Sequence, residues 1–575
     1  MKRILAFLRP YWLQCVLAPL FKLLEACFEL FVPLVVAAII DRGIAQGDDG
    51  YILKMCGVLA LLAVVGCIFA IVAQYFAARA ATGFATATRL ALFDKLQSLS
   101  YRELDAIGTP TMIARLTTDV TQAQTGVNLF LRLLMRSPFV VFGALIMAWV
   151  VDPPSAGIFA TTIPVLALIV VVVMVVTVPM YRKTQEKRDR VLALARENVS
   201  GARVIRAFGI EEEEREGFHT ASHALNRSER RVGRLSALTN PLTYVVINVA
   251  IILILRLGAF RVESGDLTQG QVIALYNYMS QILVELIKLA NLIVTVTKAI
   301  ASGKRMGKLL EMESSISYPE TQPAPLEGAP AISFDGVALT YGGAPVAAIH
   351  DVSFSIPQGG TIGIIGGTGA GKSSLVNLIP RFYDATEGTV SLFGVEIGSY
   401  PKETLREMIA VVPQKAVLFS GTIRDNLLWG DATATDDALY DALRTAQALS
   451  VVDAKPQGLD TPVEAGGKNF SGGERQRLTI ARALVKRPKI LILDDSASAL
   501  DYATDAALRR ALREDLQGMT VVVVSQRVSS VRHADTILVL QDGEVVGMGD
   551  DATLRATCPV YCDICRSQEK GEDAK

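Results

Sequence analysis

A glycine-rich segment in the C-terminal half of the chain contains the residues best suited to chemistry. Residues 366–373 read Gly-Gly-Thr-Gly-Ala-Gly-Lys-Ser, between an apolar strand predicted over 361–365 and a helix predicted over 374–379. In this context backbone N–H groups close around phosphates, Lys372 places a cation on the β and γ oxygens, and Ser373 can bind Mg²⁺. The pattern predicts an ATP site formed by Gly366, Gly367, Thr368, Gly369, Ala370, Gly371, Lys372, Ser373 and Ser374.

A hydrophobic segment over residues 489–494 ends in the carboxylate of Asp494, and Asp495 follows it. Asp494 would hold Mg²⁺ through water, and Asp495 would orient the attacking water. The alternative is a core strand that happens to end in an acid. The phosphate-binding pattern upstream favours the metal site.

Between these two motifs, residues 470–477 read Phe-Ser-Gly-Gly-Glu-Arg-Gln-Arg. This segment resembles the signature sequence of ATP-binding cassette proteins. Over essentially its whole length the chain resembles the half-transporters of the type IV exporter family, in which two cassettes pack head to tail. The resemblance implies that Ser471, Gly472 and Gly473 contact ATP held by the opposing subunit. The N–H groups at a helix start form an anion site, which agrees with that role.

The same resemblance assigns three further roles. It places Tyr341 as the aromatic residue that stacks on adenine, and Gln414 as a Mg²⁺ ligand and coupling residue. It places residues 498–501 as the loop that touches the opposing subunit. A chain with one such half-site must dimerise to use it.

Two positions of the catalytic step depart from the family pattern. Asp495 stands where members that hydrolyse ATP well carry Glu, and loss of a positioned base typically costs about 10²–10⁴ in rate. Gln526 stands at the switch histidine, where it can donate a hydrogen bond to a γ-phosphate but carries no imidazolium charge. The departures at Asp495 and Gln526 predict the degenerate-site subunit of a heterodimer, whose partner carries the missing Glu and His. The signature is intact apart from Glu474, where Gln is common, so we expect Ser471, Gly472 and Gly473 to serve hydrolysis at the partner's site.

The N-terminal half is dominated by long apolar segments. The chain has 575 residues, 51% of them hydrophobic, which predicts at least two domains. A membrane span needs about 20 apolar residues, and six segments qualify. We predict a six-span α-helical membrane domain over 1–310, a linker over 311–330, and an α/β P-loop NTPase domain of the ATP-binding cassette type over 331–575. The spans lie at about 13–40, 53–80, 127–151, 155–181, 237–260 and 271–300.

Basic residues concentrate in the two long connections, roughly 81–126 and 182–236. The positive-inside tendency places these arms, and both termini, in the cytoplasm of a cell whose plasma membrane the chain spans. The arm tips, at 104–110 and 207–211, are where a cytoplasmic domain could be held. The 57 basic and 57 acidic residues cancel, which gives no reason to expect a nucleic acid partner.

Ionisable residues also occur inside the spans. Lys22, Glu25 and Glu29 share one helix face, as do Glu285 and Lys288. Such groups indicate function by default, but pairing of Lys22 with Glu25 and of Glu285 with Lys288 is the alternative that we favour. Three cysteines near the C-terminus leave a metal site open, although ordinary thiols fit better: Cys558, Cys562 and Cys565.

The combined prediction is an ATP-dependent exporter of a hydrophobic or amphipathic substrate, which acts as one half of a dimer. Small molecules, lipids and peptides all remain open as cargo, because a fold does not fix its substrate. Two alternatives stay open. One is a nucleotide-gated regulatory or channel subunit, and the other is a homodimer that hydrolyses ATP slowly.

Overall fold

The computed structural model describes residues 2–321, 324, 326–515 and 518–572. The chain divides into two compact units. The first comprises Met1–Gln97 and Thr109–Met312, and the second comprises Ser98–Gly108 and Glu313–Lys575.

The first unit is helical. Among the residues that the structure describes, six helical stretches of 36 to 53 residues are long and apolar enough to cross a membrane: Arg9–Ile44, Asp49–Ser98, Thr109–Val151, Pro153–Ser200, Glu211–Glu263 and Gln269–Glu311. The prediction of six spans is therefore confirmed. At 1.5 Å per residue, a helix of 50 residues is about 75 Å long, well beyond about 30 Å of hydrocarbon. The spans thus continue outside the membrane, as the sequence predicts.

Short turns divide some of these stretches into separate helices. In chain order the helices are α1 (Lys2–Ala6), α2 (Trp12–Ala38), α3 (Asp49–Ser98), α4 (Tyr101–Ile107, in the second unit), α5 (Thr109–Ala114), α6 (Val120–Leu133), α7 (Arg136–Val151), α8 (Pro153–Ser200), α9 (Ala202–Phe208), α10 (Glu211–Ala237), α11 (Thr239–Glu263) and α12 (Gln269–Glu311).

The ionisable residues of the spans pair with one another. Lys22 donates to Glu25 at 2.6 Å, and Lys288 donates to Glu285 at 2.8 Å. Arg136 of α7, which is buried, forms ion pairs with Glu285 of α12 and with Glu29 of α2. The predicted pairing is present. Sequence reasoning missed Arg136, which joins the two acidic helices.

The described part of the second unit contains three sheets. Their strands are β1 (Ile332–Leu339), β2 (Ile349–Ile356), β3 (Thr361–Gly366), β4 (Glu387–Leu392), β5 (Val395–Glu396), β6 (Ile409–Val412), β7 (Gly421–Thr422), β8 (Pro462–Val463), β9 (Ile490–Asp494), β10 (Thr520–Val524), β11 (Thr536–Gln541) and β12 (Glu544–Gly549). The largest sheet has the order β12-β11-β3-β10-β9-β6, the second has β2-β1-β4-β5, and β7 pairs with β8.

Helices cover the large sheet and complete the unit. They are α13 (Lys372–Leu378), α14 (Lys402–Met408), α15 (Ile423–Leu427), α16 (Asp436–Thr445), α17 (Leu449–Asp453), α18 (Gly472–Val485), α19 (Tyr502–Asp515), α20 (Val528–Val531), α21 (Asp551–Thr557) and α22 (Pro559–Glu572). This α/β unit after six spans is the predicted fold class.

The parallel strands of the large sheet position the site. Strand β10 pairs in parallel with β3 on one side and β9 on the other. The carboxyl ends of these strands meet at one edge, where ligands bind in open α/β sheets. The glycine-rich loop follows β3, Asp494 is the last residue of β9, and Gln526 comes shortly after β10.

The C-terminal cysteines lie in this unit. Cys558 and Cys565 are buried beside β11 and β12, and Cys562 donates to the carbonyl of Arg555. No group of three or more His, Cys, Asp or Glu residues that could hold a metal ion is found among the described residues. Cys558 and Cys565 thus contribute to the core of this unit.

Candidate nucleotide-binding site

Two glycines fix the backbone of the loop between β3 and α13. Gly369 and Gly371 have φ angles of +85° and +93°, in the left-handed region that favours glycine. A Cβ atom on Gly371 would also lie 2.6 Å from the carbonyl oxygen of Ala348. The loop therefore depends on glycine at these positions, and its backbone turns into the N-terminus of α13, where phosphate groups bind.

The Lys372 ammonium lies against this loop. Its Nζ donates to the carbonyl oxygens of Gly366 at 2.9 Å and Gly367 at 2.7 Å. Burial lowers the pKa of Lys372, although the carboxylates of Asp495 and Asp494 oppose that shift. A partly buried cation beside two carboxylates fits a site for a bound polyanion and its metal ion.

Ser373 and Asp494 come together at the ends of β3 and β9. The Ser373 hydroxyl donates to Asp494 Oδ1 at 3.3 Å. Burial raises the pKa of Asp494, and the neighbouring Asp495 carboxylate raises it further. A hydroxyl and a carboxylate are oxygen ligands of the kind Mg²⁺ prefers, so this pair fits that ion.

Asp495 adopts a left-handed backbone conformation, with φ of +46°. Its Oδ2 accepts a hydrogen bond from Gln414 Nε2 at 3.3 Å, and its N–H donates to the carbonyl of Val524 at 2.9 Å. Burial raises the pKa of Asp495, against the hydrogen bond from Gln414 and the nearby charges of Lys372 and Arg527. The structure thus brings together Gln414 and Asp495, which lie 81 positions apart in the chain.

Gln526 follows β10, and a residue of the last helix holds its backbone. The Gln568 amide of α22 donates to the carbonyl of Gln526 at 2.7 Å and accepts from the N–H of Val528 at 2.9 Å. Val528 opens α20, so its N–H has no partner inside that helix. Gln568 braces the loop that carries Gln526, and sequence reasoning missed it.

Tyr341 lies beside the phosphate-binding segment. Its hydroxyl donates to the Ser374 hydroxyl oxygen at 3.1 Å. Its ring meets that of Tyr383 edge-on, with 5.1 Å between the centroids. The position next to Ser374 is compatible with a ring that stacks on the base of a bound nucleotide.

Tyr383 also contacts the tip of the first long arm. Its hydroxyl donates to the Asp105 carboxylate of α4. The Tyr101 ring of the same helix packs on Phe382, with 4.6 Å between the centroids. Burial and the Asp105 carboxylate both raise the pKa of Tyr383, so its hydroxyl stays protonated as a donor. Through Tyr341 and Tyr383, the nucleotide site is two side chains away from α4.

The signature segment starts helix α18, with Ser471 as its N-cap. The Ser471 hydroxyl accepts from the N–H of Glu474 at 3.2 Å, and Glu474 accepts from the N–H of Ser471 at 2.6 Å. This backbone hydrogen bond is the largest cause that lowers the pKa of Glu474, so a carboxylate stands at the helix start. Gly473 packs closely, because a Cβ atom there would lie 3.2 Å from the carbonyl oxygen of Ala499.

Two groups of predicted site residues remain separate. Gln476 of α18 bonds to the backbone of Asp495 and Ala499 and so ties the signature helix to the loop after β9. Within the described part of the chain, however, no hydrogen bond or ion pair joins residues 471–473 to residues 366–374. The separation is what a site completed by a second subunit requires.

Comparisons with known proteins agree with this arrangement. The family model of the ABC transporter transmembrane region matches residues 15–286, and that of the ABC transporter domain matches residues 349–498. The chain belongs to the ABC transporter family and joins both regions in one multi-pass membrane polypeptide, as half-transporters do.

Relatives of similar length support the assignment. An uncharacterized ABC transporter ATP-binding protein of Mycobacterium tuberculosis is 35% identical over 98% of this chain and 97% of its own length. An ATP-dependent lipid A-core flippase of Thiobacillus denitrificans is 30% identical over 98% of this chain and 97% of its own length. The solved structure of a bacterial Atm1-family ABC exporter with ATP bound superposes with a TM-score of 0.80. That match covers 96% of this chain and 98% of the exporter at 23% identity, which shows a shared fold.

Proposed function

We propose that the chain is the degenerate-site half of a heterodimeric exporter, which holds ATP at its own phosphate loop more than it hydrolyses it. The supporting observation is the position of Asp495. Its carboxylate is one methylene shorter than the Glu it replaces and is held by Gln414. A short, tethered carboxylate is a poor orienter of the attacking water, because a base must reach the proton that it abstracts.

The residues of the site take the following roles in this proposal. The backbone of 366–371 and Lys372 bind the phosphates, and Tyr341 packs on the base. Ser373, Asp494 and Gln414 would hold Mg²⁺, which supplies charge neutralisation to the phosphates when bound. Gln526 donates a hydrogen bond toward the γ-phosphate but supplies no positive charge.

The signature segment completes the active site of a non-identical partner. The Ser471 hydroxyl accepts from the N–H of Glu474 and donates its rotatable hydrogen to the Glu474 carboxylate, a bond that it can exchange for one to another anion. Together with the N–H groups of Gly472 and Gly473, it can therefore donate to a phosphate held by the partner. That partner would carry the Glu and the His that this chain lacks.

Closure of the two cassettes would move the membrane helices through the arm tip. The Tyr383–Asp105 hydrogen bond and the Tyr101–Phe382 contact hold α4 against the cassette. A displacement of the cassette therefore carries α4, and the arm attached to it, in the same direction.

The proposed cargo is hydrophobic or amphipathic. The related protein of Thiobacillus denitrificans is a lipid A-core flippase by name. The spans of this chain expose apolar side chains over most of their length. We place the chain in the plasma membrane with both termini in the cytoplasm, since the basic arms favour that orientation.

The test compares the purified chain alone with the chain co-expressed with a half-transporter that carries the Glu and the His. Isolated chain should bind ATP, measured with a fluorescent analogue, with ATPase activity near background. The pair should hydrolyse ATP and concentrate substrate across vesicles. Vigorous ATPase activity of the isolated chain would refute the proposal. Passive substrate leakage from vesicles would instead favour a nucleotide-gated channel.

A further inference from the structure

Helices α8 and α10 run antiparallel and side by side where they leave the apolar part of the first unit. The Tyr181 hydroxyl lies 3.2 Å from the Ser236 hydroxyl, and Arg188 donates to Glu229 at 2.8 Å. These two contacts fix the register of the pair. Residues that follow Tyr181 on α8 therefore lie level with residues that precede Ser236 on α10.

Exposed apolar side chains show where the hydrocarbon ends on this pair. Val175 is 67% exposed on α8, and Val245 is 61% exposed on α11, which continues from α10. Tyr181 and Tyr244 are also exposed, and tyrosine is typical of the boundary between hydrocarbon and headgroups. Because Ser236 lies level with Tyr181, the boundary lies near Tyr181 on α8 and near Leu238, between α10 and α11, on the other side.

Five cations lie just beyond this boundary, and we name them the basic belt: Arg182, Lys183, Arg230, Arg231 and Arg234. All five are exposed. The nearest acidic residues are Glu186, one turn after Arg182 and Lys183, and Glu229, which pairs with Arg188. None of the five side chains forms an ion pair or hydrogen bond with another residue in the ranges that the structure describes. The belt is therefore a patch of net positive charge on two adjacent helices.

Charges farther along the same helices are mixed. Arg188 is paired with Glu229, and Asp189 accepts from Gln185 at 2.9 Å. At 1.5 Å per residue, Lys183 lies about 3 Å beyond Tyr181 and Arg230 about 12 Å before Leu238. The headgroup layer is about 5–7 Å thick and the Debye length is about 8 Å, so the belt lies within reach of lipid phosphates.

We propose that the basic belt binds the phosphate groups of anionic lipids in the leaflet that α8 and α10 leave. Cations in a net positive patch at headgroup depth attract anionic lipids by up to about fivefold per residue. Arginine and lysine side chains are long enough to extend along the helix toward the phosphates. This inference rests on the spans lying in a membrane and is independent of how the ATP site works.

The experiment titrates the purified full chain, in nonionic detergent, with phosphatidylglycerol and phosphatidylcholine that carry the same acyl chains. Native mass spectrometry counts the bound lipids and gives an apparent association constant for each. The belt variant combines Arg182→Gln, Lys183→Gln and Arg234→Gln. Its matched control combines Arg190→Gln, Arg196→Gln and Arg215→Gln, which remove the same charge from the same two helices farther from the boundary.

The wild-type chain should prefer phosphatidylglycerol by about tenfold or more at low salt, and 500 mM salt, about ten times the low-salt level, should reduce that preference. The belt variant should lose about tenfold to a hundredfold in phosphatidylglycerol binding with phosphatidylcholine binding unchanged, while the control should lose less than about threefold. Replacing Arg182 and Arg234 with Lys keeps the charge and should keep the preference. Equal binding of both lipids by the wild type, or equal losses in both triple variants, would overturn the proposal.

Discussion

The side-chain amide of Gln414 donates a hydrogen bond to the Asp495 carboxylate, with 3.3 Å between Nε2 and Oδ2. Both residues belong to the predicted catalytic step. The amide N–H of Gln414 and the carboxylate oxygen of Asp495 are each other's hydrogen-bond partner. The carboxylate also lies near the partly buried ammonium of Lys372. Asp495, which we propose takes the place of the usual base, thus already interacts with side chains of its own chain.

Lengthening this side chain should restore part of the hydrolytic activity. Asp495→Glu extends the carboxylate by one methylene, toward the position that orients the attacking water. In the assembled pair we expect ATPase activity at this site to rise by about tenfold, less than the full contribution of a base because Gln526 still lacks the charge. Asp495→Asn is the control, and it should produce no rise. An unchanged rate in Asp495→Glu would show that the methylene is not what limits the site.

The raised pKa values of Asp494 and Asp495 predict a pH dependence of nucleotide binding. Both carboxyl groups take up protons at a higher pH than an ordinary Asp, so acidification should weaken Mg²⁺-dependent ATP binding early. Asp495→Asn removes a negative neighbour and should lower the pKa of Asp494, which moves the loss to lower pH. Fluorescent ATP titrations between about pH 5 and 8, with Mg²⁺ or with EDTA, measure this effect. If ATP binding by the variant weakened over the same pH range as binding by the wild type, the two carboxyl groups would not be coupled.

Glu474 should weaken the signature of this chain. Its ionised carboxylate stands at the start of α18, where the partner's phosphate would bind. Glu474→Gln removes the charge and keeps an oxygen that can accept from Ser471. The partner's affinity for ATP should rise about two- to fivefold, the usual effect of a charge at a helix terminus. Ser471→Ala should lower it. Equal ATP affinity with Glu474→Gln and with the wild type would show that the Glu474 charge does not affect the partner's site.

The hydroxyl of Tyr383 should hold α4 on the cassette. Tyr383→Phe keeps the ring contacts with Tyr341 and Tyr101 but loses the hydrogen bond to Asp105. Because a bond to a charged group contributes about 1.5–3 kcal/mol, amide hydrogen exchange over residues 101–107 should become about tenfold faster or more. Asp105→Asn retains an acceptor and should give a smaller change. Unaltered protection in Tyr383→Phe would mean that packing alone holds this helix.

Helices and strands that are determined by short stretches of sequence could be predicted. The strand before Gly366, the helix after Lys372 and the six apolar helices all follow from short stretches of sequence. The departures at Asp495 and Gln526 were visible because the family resemblance expects Glu and His at these positions, each of which follows a hydrophobic strand.

Contacts between distant segments were not predictable in the same way. Arg136 and Glu285 are 149 positions apart, and Tyr383 and Asp105 are 278 apart. Nothing in the local pattern marks Gln568 as the residue that braces Gln526, since both of its hydrogen bonds reach backbone groups. These contacts depend on tertiary packing, which cannot be inferred from one sequence.

Retention of intact ATP on this chain is the most direct test of the central claim. The assembled pair is incubated with photoreactive ATP labelled on either the α or the γ phosphorus, allowed to turn over, irradiated and separated into its two chains. The γ label should remain on this chain in the same proportion as the α label, while the partner loses its γ label. Loss of the γ label from both chains at the same rate would contradict the account.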